Sequence, residues 1–145
     1  ALRSLGEFDT PAVRGWLLGR LSAETDAGLF MSTAQAAAAL RETKAHAAIA
    51  KQLLAFEESW AGVRGHLLAA LNTLGHPELA DVLERYVRHE KALNTWLVPG
   101  YLERLHKLDP ARGVRAAKGI VASPRFETFK EKARSRIQKI AGAKE

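Results

Sequence analysis

IAKQLLAFEESWAGVRGHLLAALNTLGHPELADVLERYV, residues 49–87, decides the fold. Its apolar residues Ile49, Leu53, Phe56, Trp60, Val63, Leu67, Leu71 and Leu74 step by three and four, which draws one stripe along a helix. Gly75 is a natural C′ residue, and Pro77 starts the next helix after only Gly75 and His76. Leu79, Val82, Leu83, Tyr86, Val87, Leu93, Trp96 and Leu97 carry a second stripe. So short a link predicts antiparallel neighbours, a long αα-hairpin. The stripe passes Gly62 and Gly65 without a break, so a single helix over 33–74 is expected, each glycine weakening it by ~1 kcal/mol relative to alanine. A kink at Gly62 is the alternative.

Outward from the hairpin, DTPAVRGWLLGRL opens a helix with Thr10 as N-cap and Pro11 at its first position. That helix fades by Asp26–Gly28. Ser32 and Gln35 make a capping-box pattern before the alanine-rich stretch that feeds the long helix. After Pro99–Gly100, YLERLHKL gives two more turns. DPARGVRAAKGIV is a short helix or structured linker with Asp109 as its cap. SPRFETFKEKARSRIQKIAG is the last helix, capped by Ser123 with Pro124 following, and Phe126, Phe129, Ala133, Ile137 and Ile140 share its apolar face. Strand alternation is missing throughout. The expected fold is all-α: a bundle of four to six helices built on the long hairpin, with a basic C-terminal helix. Residues 1–109 form the bundle core and 110–145 a basic segment packed on it within the same domain. At 145 residues the chain suffices to bury roughly 70% of its unfolded surface.

Cysteine is absent, which excludes disulfides and thiolate chemistry. No apolar run approaches the ~20 residues that span a bilayer. The N-terminal residues show no signal-peptide core, and the first residue is Ala. A cytoplasmic domain of a larger, bacterial-type protein is the expectation. Walker, dinucleotide-binding, nucleophile-elbow and H-E-x-x-H signatures do not occur. Glu103-x-x-His106 is a single E-x-x-H step where di-metal bundles use two, and Glu57–Glu58 and Asp81/Glu84 do not complete that set. No cofactor and no metal site are expected. His89–Glu90 could do acid–base work only in a pocket that tunes it. Glu90 falls between Tyr86 and Leu93 on the stripe, which predicts a charge near the core. Trp16, Trp60 and Trp96 are read as core residues. An enzyme is therefore not expected.

Charge is the remaining signal. Residues 110–145 carry 10 Lys and Arg against 3 Asp and Glu, while residues 1–109 carry 12 against 13. The whole net charge of +6 thus lies in the last quarter. Arg112, Arg115 and Lys118 recur every three residues. Arg125, Lys130, Lys132, Arg134, Arg136 and Lys139 follow. An array of this kind suits phosphates, because each one neutralised releases counterions. With no base-reading motif, weakly sequence-specific binding of nucleic acid is expected. The alternative is a protein–protein module in which the hairpin surface takes a partner helix, or an acidic protein surface meets the basic tail. Insertion of the last helix at a membrane surface is disfavoured by its narrow apolar face.

Overall fold

A computed structural model describes residues 9–92 and 97–144, so Leu93 and Trp96 fall outside the described residues. These residues are all-helical, with no strand among them. The α-helices are α1 (Pro11–Ala23), α2 (Ala27–Ala39), α3 (His46–Leu54), α4 (Arg64–Leu74), α5 (Leu79–Arg88), α6 (Leu97–Leu108), α7 (Pro110–Val121) and α8 (Glu131–Ala141). Tighter 3-10 turns occupy Thr43–Ala45, Glu58–Val63 and Pro124–Thr128. No helix among the described residues is long and apolar enough to cross a membrane. Contacts group the chain into two compact units, residues 1–79 and 80–145.

In the first unit α1 starts as the sequence predicts: the Thr10 hydroxyl accepts from the Val13 N–H at 3.2 Å, with Pro11 next. Leu17 and Leu21 are buried, and Leu17 joins Ala36 of α2 and Leu40, which follows it. The alanines of α2 let helices approach closely; Ala34, Ala36, Ala37 and Ala38 are all buried. α2 packs on α1 and α4, and α3 packs on α4. Trp60 is buried as expected and meets Phe30 edge-to-face, with ring centroids 5.1 Å apart. Trp16 is not core: it is 43% exposed, and the Arg20 guanidinium lies over its ring.

The single helix over 33–74 does not form. α2 begins earlier, where the Asp26 carboxylate accepts from the Leu29 N–H at 2.9 Å. Ser32 is therefore inside the helix and donates to the Gly28 carbonyl rather than capping anything. The first arm of the expected hairpin is broken twice. Arg41 and Phe56 take left-handed backbone conformations, with φ of +54° and +50°. Glycine is the residue favoured there, yet neither position is glycine, so the sequence carries no signal for either break. Arg14 fastens the first break. Its guanidinium donates to Glu42 at 3.1 Å and to the Leu40 carbonyl at 2.7 Å, and it pairs with Asp9. After the second, buried Phe56 lies beneath the Arg64 guanidinium, which donates to the Glu57 carbonyl. The arms of the expected hairpin belong to different units.

Arg41 is exposed and sits at a backbone position that glycine occupies without cost. Arg41→Gly is expected to stabilise the protein by about 1 kcal/mol, read as a higher urea midpoint at unchanged slope. An unchanged or lower midpoint would mean that the turn is not strained.

In the second unit α6, α7 and α8 pack on one another. Val98, Leu102, Leu105, Val114, Ala117, Ile120, Ile137 and Ile140 are buried along them. α7 starts at the predicted cap, Asp109, whose carboxylate accepts from the Arg112 N–H at 3.2 Å. The last expected helix is shorter than its sequence pattern. Residues 124–128 form a 3-10 turn, Phe129 is extended, and α8 begins only at Glu131. Ser123 does not cap; its hydroxyl donates back to the Ile120 carbonyl at 2.8 Å. Phe126 within the turn and the extended Phe129 just after it are both buried.

Candidate nucleic-acid interface

The boundary between the units sharpens the charge division. Residues 80–145 carry 15 Lys and Arg against 8 Asp and Glu, and residues 1–79 carry 7 against 8. All of the positive excess belongs to the second unit.

Within that unit the predicted site residues separate by type. Arg112 and Arg115, three apart on α7, face Asp81 and Glu84, three apart on α5. Arg112 donates to Asp81 at 3.2 Å and Arg115 to Glu84 at 3.0 Å, a two-rung ladder between the helices. Arg112 also meets Asp109 at 3.3 Å. Arg134 pairs with Glu127 at 3.3 Å. Arg136 pairs with Glu103 and holds that carboxyl below the usual carboxylate range. Arg125 is turned inward, donating to the backbone carbonyls of Val87, His89 and Ala92, with its guanidinium over Phe129. Every one of these arginines thus has a partner inside the unit.

Lys118, Lys130, Lys132 and Lys139 are exposed and have no carboxylate at ion-pair distance among the described residues. The division is physical. Arginine's planar fork suits bidentate pairing and backbone carbonyls, while the compact, strongly hydrated ammonium of lysine stays in water. On α8, with Ile137 and Ile140 buried, Lys132, Arg136 and Lys139 recur at i, i+4 and i+7 and form one outward ridge. Lys139 and Arg136 also border a cleft of about 400 Å³ with Lys107 of α6 and His106 at its wall.

The other chemical candidates are not assembled. Glu103 is engaged by Arg136 rather than by His106. α5 ends at Arg88, before Glu90, which is exposed instead of near the core. The His89 Nδ1 accepts from the Lys91 N–H at 3.1 Å, and the His89 carbonyl accepts from Arg125. The sequence displays the density of cations but not their pairing. Asp81 and Glu84 stand 31 residues before their arginine partners, and only the fold brings them together.

No protein-family model, no curated protein and no solved structure matches this chain.

Proposed function

We propose that this chain is a non-enzymatic domain that holds the phosphate backbone of a nucleic acid, with little preference for base sequence, through Lys118, Lys130, Lys132 and Lys139. The observation that carries the reading is the set of unpaired lysines beside Arg112, Arg115, Arg125, Arg134 and Arg136, which are taken up by internal partners. Lysine acts on phosphate as a point charge and reads no base edge, so affinity depends steeply on salt and weakly on sequence. Arg134, Arg136 and Arg115 border the lysines. Exposed pairs of this kind are worth about 0–1 kcal/mol, so a phosphate can compete for them.

Fluorescent single- and double-stranded DNA and RNA, titrated at two salt concentrations, test this. Wild type is expected to bind at roughly micromolar Kd in low salt. Replacing the four lysines with glutamine is expected to weaken binding at least about tenfold and to flatten the logarithmic salt slope by about 3. Arg112→Gln with Arg115→Gln is expected to lower stability more than affinity. No binding at low salt, or equal affinity in the lysine variant, would sink the reading.

A further inference from the structure

The first unit contains a cluster that the sequence pattern does not announce. His46 stands at the first position of α3. His76 and Glu78 stand in the connector that follows α4. Gly75, with φ of +61°, ends α4 and turns the connector. α3 packs on α4, so the connector returns to the start of α3. The His46 and His76 rings stack there, with centroids 4.4 Å apart and planes inclined by 18°. One ligand atom each from His46, His76 and Glu78 lie within 4.8 Å of one another.

His46 is 2% exposed, and its Nε2 is buried with no hydrogen-bond partner. A buried imidazole nitrogen without a partner is uncommon, because nothing replaces the water it gave up. A metal ion bound at Nε2 would supply that missing partner. His76 is half-buried and Glu78 is exposed, which leaves the cluster open to solvent on one side.

We infer that His46, His76 and Glu78 bind a borderline divalent metal ion, with zinc as the leading occupant and water completing a tetrahedral shell. Two imidazoles and a carboxylate are a donor set that zinc accepts while keeping one position open. Ligand atoms around zinc, at about 2.0–2.2 Å from the ion, stand closer together than 4.8 Å, so binding draws the three side chains inward. It also unstacks the rings, since two parallel imidazoles cannot both aim in-plane lone pairs at one ion. The Nδ1 of His76 accepts from the Glu78 N–H at 3.1 Å. Ligation through Nδ1 replaces that bond, and ligation through Nε2 moves the ring proton to Nδ1. Either route pins the connector to the start of α3.

Calorimetric titration of the full chain with zinc chloride, after chelator treatment, tests the inference. One zinc per chain is expected to bind at micromolar Kd or tighter, and the thermal midpoint is expected to rise with zinc and return on chelation. Removing even a residue that only supports a ligand costs about ten- to a hundredfold in metal affinity. His76→Ala is therefore expected to cost at least about a hundredfold and Glu78→Gln at least about tenfold. Both positions are clear of the deep core, so circular dichroism is expected to report folded variants. His66→Ala, at an exposed histidine of α4, is expected to bind as wild type does. No stoichiometric binding, undiminished binding in either ligand variant, or loss with His66→Ala would overturn the site.

Discussion

Gly113→Ala is expected to destabilise the protein by about 3 kcal/mol or more, although alanine is the better helix former by about 1 kcal/mol. The sign reverses because of a close helix crossing. A Cβ built on Gly113 of α7 would lie 2.5 Å from the Cα of His106 on α6, 2.7 Å from its Cβ and 3.0 Å from its N. Two of those atoms are backbone and cannot rotate away. Asp109 alone links α6 to α7, so the helices have little freedom to separate. Gly119 lies on the same helix, and its added Cβ would meet only the Arg88 side chain, at 3.7 Å or more. Gly119→Ala is thus the matched control, expected to be neutral or to stabilise by up to about 1 kcal/mol. Chemical denaturation of the two variants beside wild type decides the matter. Equal midpoints for Gly113→Ala and wild type would show that α6 and α7 do not cross at that point.

The same crossing shows what the sequence carries and what it leaves out. Where one residue type meets a local backbone requirement, the sequence is legible. Thr10–Pro11 and Asp109–Pro110 start helices, and Gly75 ends one, where those residues predict it, because capping uses atoms within a few residues. The α5 stripe is legible too: Leu79, Val82, Leu83, Tyr86 and Val87 are all buried. Breaks set by tertiary packing are not. Arg41 and Phe56 turn the chain in a left-handed conformation that favours glycine, yet neither is glycine, and the period of three and four that starts at Ile49 runs through Phe56 without interruption. Trp16 fits a helical stripe yet faces solvent, since periodicity marks a face without saying that anything covers it.

The candidate interface is legible in the same partial way. Counting charge finds the basic region, because net charge is a property of composition. It cannot tell an arginine that holds the fold from a lysine that faces water. That distinction needs Asp81, Glu84 and Glu103, all of which precede the basic segment in the chain. The His46, His76 and Glu78 cluster was hidden for a related reason. His76 and Glu78 are two apart, but His46 lies 30 residues earlier, a spacing that no short motif records.

Arg125 separates the two roles most sharply, and Arg125→Met is expected to cost about 2–4 kcal/mol of stability. The side chain enters from the 3-10 turn at Pro124–Thr128 and donates to the carbonyls of Val87, His89 and Ala92. Val87 is in the last turn of α5, where carbonyls have no intrahelical partner, so the guanidinium serves as a C-terminal cap from a distant segment. Burial pushes the guanidinium down from its usual value, but arginine keeps its charge, and hydrogen bonds from a charged donor are the stronger kind. Methionine preserves the apolar stem against Phe129 and removes all of the donors. Lysine at this position keeps the charge as a single point and cannot serve three carbonyls at once, so Arg125→Lys is expected to recover only part of the loss. The decisive comparison is between stability and affinity. At a temperature where Arg125→Met is folded, its nucleic-acid binding is expected to match that of wild type within about twofold, because a cap contributes no phosphate contact. A variant as stable as wild type that bound nucleic acid weakly would reverse the assignment and return Arg125 to the interface.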